Sequence, residues 1–139
     1  ERAAEVGVER VGKDELFRRA DIVSVHLALG ERSIGIIGAA ELSLMKPTAY
    51  FINTARGPIV DEAALIDMLE NRRIAGCALD VFNEEPLPAD HPLLKVENTI
   101  LTPHIGYVTD GTFEAYYQSA IESIKAFVAG DPVPYAIEG

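Results

Sequence analysis

The sequence has one cysteine, Cys77, and no tryptophan, and no apolar run approaches the roughly 20 residues that a membrane-spanning helix needs. A single cysteine cannot build a disulfide framework, which predicts a reducing compartment. The opening residues also lack the apolar core of a signal peptide, so we expect a cytoplasmic protein. Because Cys77 stands in the apolar segment IAGCALDV, a buried and inert thiol is favoured over a nucleophile.

Positive charge is scarce as well. The 139 residues include 12 Lys and Arg against 22 Asp and Glu, a net charge of -10 that is spread along the chain. This excess of acid argues against nucleic acid and anionic membranes as partners. No spacing of histidine or cysteine is typical of a metal site, so we expect no bound metal.

The sequence does contain a regular alternation of short apolar runs and amphipathic segments. Runs that are apolar throughout predict parallel strands buried on both faces, and the amphipathic segments predict helices. A last helix is expected from Thr109 or Asp110 to a stop at Gly130 and Pro132. The other predicted elements are strands at residues 21–27, 49–53, 74–79 and 99–101, and helices at 14–20, 39–46 and 61–73.

This βαβ series predicts an α/β fold, a partial doubly wound (Rossmann-like) parallel sheet with flanking helices in one domain. A complete sheet of that kind opens with a strand, a glycine-rich turn and a helix, but the sequence has no G-x-G-x-x-G. The nearest segment, GIIG at residues 35–38, does not directly follow a strand. We therefore expect residues 1–139 to be the C-terminal portion of a dinucleotide-binding domain, without its glycine-loop unit.

Polar side chains gather just after each predicted strand. The carboxyl ends of parallel strands lie along one edge of a sheet, and ligands bind in the crevice there, so these residues should line one cleft. They are His26, Asn53, Thr54, Arg56, Asp80, Glu84, Glu85, Thr102 and His104.

Three of these residues suit the oxidation of a 2-hydroxy acid. The reaction needs a cation to hold the substrate carboxylate, a base to take the hydroxyl proton, and a carboxylate to stabilise the base once it is charged. Arg56 can hold a carboxylate through two parallel hydrogen bonds, and His104 can exchange a proton near neutral pH. A neighbouring Glu85 would stabilise the imidazolium and fix its tautomer.

The segments that carry these residues make the sequence resemble a known family. They are NTARGPIVDEAAL with Arg56, ALDVFNEEPLP with Glu85, and LTPHIGYVT with His104. In order and spacing they are similar to the D-isomer-specific 2-hydroxyacid dehydrogenases, which include phosphoglycerate, glyoxylate and D-lactate dehydrogenases. The resemblance covers essentially the whole chain and implies that Arg56, Glu85 and His104 are catalytic. It also implies a D-2-hydroxy or 2-keto acid substrate, NAD (or NADP) as cofactor, a homodimer, and a substrate domain outside this chain.

The same resemblance implies which residues contact the cofactor. Asp80 occupies the position that binds the nicotinamide carboxamide. Thr54 and Ala55 line the nicotinamide side, and Gly106 lets the backbone approach the ring. The family often has Pro where Ala28 stands, so the sequence departs from the pattern on the adenosine side. The residues implied on that side are Val25, His26 and Ala28.

Less specific interpretations stay open for these residues. Arg56 precedes a Gly-Pro pair and could be a surface turn residue, while Asp80 and Glu85 could be solvated loop acids in so acidic a chain. His26 could simply pack at the sheet edge. Although Glu84 follows a strand, a solvated surface position is favoured for it, as it is for His91 and the acids of the helix at 61–73.

Two other functions are compatible with the sequence. A dinucleotide-sensing interaction protein, similar to corepressors that the family also resembles, would share the fold, and the isolated chain could be an inactive fragment. The sequence keeps Arg56, Glu85 and His104, which favours an enzyme over a sensor that has lost catalysis. Because the strand at 21–27 would pair with the glycine-loop unit, its uncovered edge should promote self-association, and the chain alone should bind NAD weakly.

Overall fold

The computed structural model describes residues 2–136 of the chain. Over that range the strands form one parallel sheet in the order β1-β2-β3-β4, which confirms the predicted α/β fold. Each predicted strand is present, and the first three are shorter than their apolar runs. The strands are β1 (Ile22–Val25), β2 (Tyr50–Asn53), β3 (Gly76–Leu79) and β4 (Thr99–Leu101).

Helices precede or follow the strands as the pattern predicts, apart from an unexpected first turn of helix. The helices of the described range are α1 (Arg2–Glu5), α2 (Lys13–Arg19), α3 (Ala39–Leu42), α4 (Glu62–Glu70) and α5 (Asp110–Ala129). Short 3-10 turns cover Gly57–Ile59 and Pro92–Lys95.

The start of α4 was predicted correctly, and its end was not. Asp61 caps the helix by accepting a hydrogen bond from the Ala64 amide at 3.1 Å. The helix stops short of residue 73 because the Asn71 side chain bonds back to the Asp67 carbonyl oxygen at 2.9 Å and Arg72 adopts a left-handed φ of 51°. Local side-chain bonding therefore ends the helix before its apolar pattern does.

The helix predicted at 39–46 is also shorter in the structure. Ser43 donates its hydroxyl to the Ala40 carbonyl oxygen at 2.8 Å, a bond that competes with the helical backbone ladder. Pro47 disfavours a helical conformation for Lys46, and residues 43–46 form turns instead.

Helices α2, α3 and α4 bury one face of the sheet in the main hydrophobic core. Phe17, Leu42 and Leu69 from these helices are at most 2% exposed and pack in one cluster with Phe51 and Cys77 of the strands. A fully buried side chain of this size contributes about 1.5–3 kcal/mol to folding. Burial raises the pKa of the Cys77 thiol to about 12, so the expectation of an inert buried thiol is confirmed.

The opposite face of the sheet is open, which corrects the expectation of strands buried on both faces. Ile22, Tyr50 and Ile100 on that face are 61%, 53% and 68% exposed. The strand order advances in one direction only, and right-handed crossovers between such strands all place their helices on the same face. A βαβ series of this order therefore covers one face and leaves the other apolar and accessible.

The chain divides into two compact units, Glu1–His104 and Ile105–Gly139. The second unit contains α5, whose predicted limits are confirmed. Thr109 caps its start by accepting from the Thr112 amide at 3.2 Å, and Gly130 ends it with a left-handed φ of 76°. Across the described residues, no helix combines the length and the apolar character that crossing a bilayer requires.

Candidate active site

The strands of the sheet end side by side. Val25, Asn53 and Leu79 are successive register partners across β1, β2 and β3, and Leu101 of β4 is the partner of Leu79. The residues that follow therefore emerge along one edge of the sheet, as expected for parallel strands. We call this the polar edge, and its first residues are His26, Thr54, Asp80 and Thr102.

Glu85 and His104 form a hydrogen-bonded pair in the loops that leave this edge. The Glu85 Oε2 atom lies 2.6 Å from His104 Nδ1. Both side chains are about one-third exposed, at 34% and 35%, so they are partly screened from water yet accessible to a small molecule. The structure thus brings together two of the residues that the sequence assigned to one cleft.

The protonation state of the pair follows from the surroundings of Glu85. Partial burial acts to raise the pKa of Glu85, but hydrogen bonds with His104 and the Phe82 amide outweigh it and hold that pKa below the ordinary value. The charge of Arg56 lowers it further. An ionised carboxylate can only accept hydrogen bonds, so His104 donates its Nδ1–H to Glu85. Proton exchange with another molecule then falls to Nε2, the other ring nitrogen.

His104 has an unusual backbone conformation. Its φ of 56° lies in the left-handed region, which few residues other than glycine adopt. Its amide donates to the Thr102 carbonyl oxygen at 3.0 Å, which closes a tight turn directly after β4. Left-handed non-glycine residues cost about 1–3 kcal/mol and concentrate at functional sites, where the surroundings fix them.

Arg56 stands on a short loop after β2 that Asn53 organises. The buried Asn53 side chain accepts from the Ala55 amide and donates to the Arg56 carbonyl oxygen, both at 3.0 Å. The Arg56 guanidinium donates to the Ala55 carbonyl oxygen at 2.6 Å and is exposed to solvent. One side-chain amide therefore fixes both ends of the loop from below, and the cation stays accessible.

The Arg56 loop is packed directly against the Glu85 loop. Gly57 is buried, and a Cβ added to it would lie 2.1 Å from the Phe82 carbonyl carbon and 2.6 Å from the Asn83 amide nitrogen. Only glycine allows two backbones to come this close. The backbones of the two loops that carry Arg56 and Glu85 are thus in direct contact.

Asp80 supplies a buried carboxylate at the polar edge. Its residue is 5% exposed, its amide donates to the Asn53 carbonyl oxygen at 3.0 Å, and its Oδ1 accepts from the Thr102 hydroxyl at 2.5 Å. A buried carboxylate held in this way is a strong acceptor for an amide N–H donor. This chemistry fits the carboxamide of a nicotinamide ring, the ligand that the sequence implied for Asp80.

Half of the six other residues implied for the cofactor line one cleft at the same edge. A cleft of about 430 Å³ is lined by His26, Ala28, Ala55 and Arg56, among others. The other three residues do not line this cleft. Thr54 is exposed beside the cleft, the Val25 side chain is buried in the core at 3% exposure, and Gly106 belongs to the second unit. His26 also bonds its Nε2 to the Ser24 hydroxyl at 2.8 Å, a local contact at the edge of the sheet.

Two residues that the sequence placed on the solvated surface are instead partly buried next to the Glu85 loop. Glu62 and His91 side chains are 19% and 16% exposed, and Glu62 Oε1 lies 3.2 Å from His91 Nε2. The assignment of the α4 acids to a solvated face is therefore wrong for Glu62. His91 also caps the 3-10 turn that follows it by accepting from the Leu93 amide at 3.3 Å. The sequence signal of this turn is Pro92, because proline is common at the first position of a helix.

Comparison with known proteins identifies the family of this site. The family model described as D-isomer specific 2-hydroxyacid dehydrogenase, NAD binding domain, matches residues 1–106 of this chain. The chain belongs to this family. The sequence resemblance is thereby confirmed, and the match to the NAD-binding domain confirms NAD as the cofactor type of the family.

Individual relatives agree with this assignment. The chain is 44% identical over 121 residues to a glyoxylate reductase of Thermofilum pendens, covering 87% of this chain and 36% of that protein. It is 42% identical over 137 residues to a D-3-phosphoglycerate dehydrogenase of Archaeoglobus fulgidus, covering 99% of this chain and 26% of that protein. The chain therefore spans between about a quarter and two-fifths of the length of such relatives.

Solved structures of the family share the fold. A phosphoglycerate oxidoreductase from Vibrio cholerae superposes with a TM-score of 0.86 at 36% identity, covering 93% of this chain and 42% of that one. A D-lactate dehydrogenase with NAD+ from Lactobacillus jensenii superposes with a TM-score of 0.85 at 29% identity, covering 100% of this chain and 46% of that one. The Rossmann-like sheet predicted from the sequence is confirmed.

Proposed function

We propose that this chain is the catalytic part of an NAD(P)-dependent dehydrogenase that interconverts D-2-hydroxy acids and 2-keto acids. The observation that carries the proposal is the Glu85–His104 hydrogen bond of 2.6 Å, formed next to a loop that presents Arg56. An oriented imidazole, its supporting carboxylate and an accessible cation are the groups that this reaction requires.

Arg56 holds the substrate carboxylate in this proposal. Its guanidinium can make two parallel hydrogen bonds to a carboxylate, which fixes both the position and the rotation of the substrate. The hydrogen bonds from Asn53 and the contact of Gly57 with the Glu85 loop hold the backbone that carries this cation against the loop of Glu85. Orientation of this kind lets the enzyme act on one face of the C2 carbon.

His104 moves the proton at the substrate oxygen. During oxidation of the hydroxy acid its Nε2 takes the hydroxyl proton, and during reduction of the keto acid it returns that proton. The ionised Glu85 accepts the Nδ1–H throughout and stabilises the imidazolium that forms. NAD, when bound, accepts or supplies the hydride at its nicotinamide ring.

The residues of the polar edge would hold the nicotinamide half of the cofactor. Asp80 would accept from the carboxamide, Thr54 and Ala55 would line the ring, and Gly106 would allow backbone approach. Residues for the adenosine side would be His26 and Ala28, with Val25 contributing through its backbone. We further propose that the complete protein is a cytoplasmic homodimer that acts on a small-molecule substrate.

Turnover by the complete natural protein tests the proposal. Glyoxylate, hydroxypyruvate and pyruvate are offered with NADH and with NADPH, and cofactor oxidation is followed by absorbance. We expect NADH-dependent reduction of at least one keto acid. Tight binding of NADH without turnover of any keto acid would instead support the dinucleotide-sensing alternative.

A further inference from the structure

The loop that carries Glu85 is fixed at two points by one side chain outside the active-site set. Glu62, the first residue of α4, accepts from the Asn83 amide through Oε2 at 3.4 Å. Its other oxygen, Oε1, lies 3.2 Å from His91 Nε2. Asn83 precedes Glu85 and His91 follows it, so one carboxylate ties together the two ends of the loop.

His91 contacts Glu62 through one ring nitrogen and is anchored to its own turn through the other. Its Nδ1 accepts from the Leu93 amide at 3.3 Å, so in the neutral ring the proton is on Nε2. This nitrogen is the one that lies within ion-pair distance of Glu62 Oε1. Leu93 is fully buried and the His91 amide donates to the Pro88 carbonyl oxygen at 3.0 Å, which anchors this end of the loop.

The first contact lies next to the hydrogen bond that orients Glu85. The amides of Phe82 and Asn83 are consecutive, and they donate to Glu85 Oε1 at 2.9 Å and to Glu62 Oε2 at 3.4 Å respectively. The peptide group between Phe82 and Asn83, which contains the Asn83 amide, is also packed against Gly57. Fixing this peptide restrains the Cα of Phe82, to which the Phe82 amide nitrogen is bonded, so Glu62 and Gly57 oppose a displacement of that amide from Glu85.

We propose that Glu62 is a positioning residue for Glu85, acting through Asn83 and His91. Its carboxylate holds the loop so that the Glu85 oxygens face the Phe82 amide and His104 at the same time. The proposal rests on the proposed function in one respect, namely that Glu85 supports His104 in proton transfer. It deepens that function by adding the α4 N-terminus to the parts that orient the imidazole.

Nuclear magnetic resonance of the histidine rings tests the proposal without any substrate. The 139-residue chain has three histidines, so labelling with 15N-histidine gives three imidazoles to follow. The variants Glu62→Ala and Glu62→Gln are compared with Glu70→Gln. Glu70 is an exposed acid at the other end of α4. Circular dichroism verifies that each variant is folded.

We expect Glu62→Ala to change the ring signals of both His91 and His104 and to leave those of His26 unchanged. Glu62→Gln keeps one carbonyl oxygen that can accept from the Asn83 amide, so the His104 signals should change less than in Glu62→Ala. Glu70→Gln should match the wild type. A Glu62 variant that alters His91 but leaves the His104 signals at their wild-type positions would overturn the proposal, because Glu62 would then stabilise only its own loop.

Kinetics of the complete protein provide the second readout. Glu62→Ala should lower kcat about tenfold or more, since a small displacement of an orienting group is costly. The KM for NADH should stay near wild type, and Glu62→Gln should recover part of kcat. Equal kcat in Glu62→Ala and wild type would also overturn the proposal. If the wild type turned over no keto acid, the proposed function would fail, and the ring signals would still decide the role of Glu62.

Discussion

Gly57 and Phe82 are in direct backbone contact, which joins the loop of the cation to the loop of the carboxylate. A Cβ on Gly57 would lie 2.1 Å from the Phe82 carbonyl carbon and 2.2 Å from its oxygen. These are main-chain atoms, so the neighbour cannot move aside as the end of a flexible side chain could. The close approach of these two loops therefore depends on the absence of a side chain at Gly57.

Gly57→Ala should destabilise the fold and impair catalysis together. Forcing a methyl group into such a contact costs about 1–3 kcal/mol or more in the free energy of unfolding, measured by urea denaturation. Gly30→Ala is the matched control, because a Cβ at Gly30 meets nothing within 4 Å. Wild-type stability of Gly57→Ala would show that the two loops are not locked together.

His104→Asn should remove proton transfer while leaving the fold intact. Asparagine tolerates the left-handed φ of 56° better than most residues, so the turn should be retained. Turnover of the complete protein should fall about 10²-fold or more, the usual range for loss of a positioned acid or base. Near-wild-type kcat in a steady-state assay would rule out His104 as the proton-transfer group.

Arg56→Lys should mainly weaken substrate binding. A point charge replaces the bidentate fork, and loss of a charge-assisted hydrogen bond costs about 1.5–3 kcal/mol, or about tenfold or more in KM for the keto acid. The KM for NADH should change little. Arg18→Lys, on the exposed side of α2, controls for the loss of an arginine elsewhere. An unchanged KM for the keto acid would remove Arg56 from carboxylate binding.

Glu85→Gln should change how stability depends on pH. The pKa of Glu85 in the folded chain lies below its ordinary value of 4.5, so its contribution to stability is present above pH 4.5 and is lost as the pH falls through the lowered pKa. The wild type should therefore exceed Glu85→Gln in free energy of unfolding at neutral pH, and the difference should shrink on acidification.

Denaturant unfolding at a series of pH values measures this difference, with Glu84→Gln as the control. Glu84 is the exposed neighbour of Glu85 in the same loop, and its substitution should leave the pH dependence of stability unchanged. A constant difference between wild type and Glu85→Gln at every pH would contradict the linkage.

The isolated 139-residue chain should self-associate and bind NAD weakly. Its open sheet face exposes Ile22, Tyr50 and Ile100, and β1 pairs only with β2 among the described residues. The sequence has no glycine loop to hold the pyrophosphate. Light scattering should show association that Ile100→Lys reduces, and calorimetric titration should show little binding of NAD. A strictly monomeric chain that binds NAD tightly would contradict both expectations.

The sequence alone determined the four strands, the starts of the main helices and the residues that follow the strands at the polar edge. Short apolar runs predict the strands. Asp61 and Gly130 predict helix ends because capping depends only on residues that are close in the sequence. Because parallel strands end at one edge, the placement of Arg56 and His104 after strands was enough to predict that they lie at the same edge of the sheet.

The tertiary structure alone decided which partners these residues meet. Glu62 looked like one more acid of a solvated helix, and its contacts with Asn83 and His91 join residues far apart in the chain. The close approach of Gly57 to Phe82 and the open face of the sheet are also set by how segments pack. Patterns in sequence report local geometry and burial, whereas these contacts depend on loop positions fixed only once the whole sheet has formed.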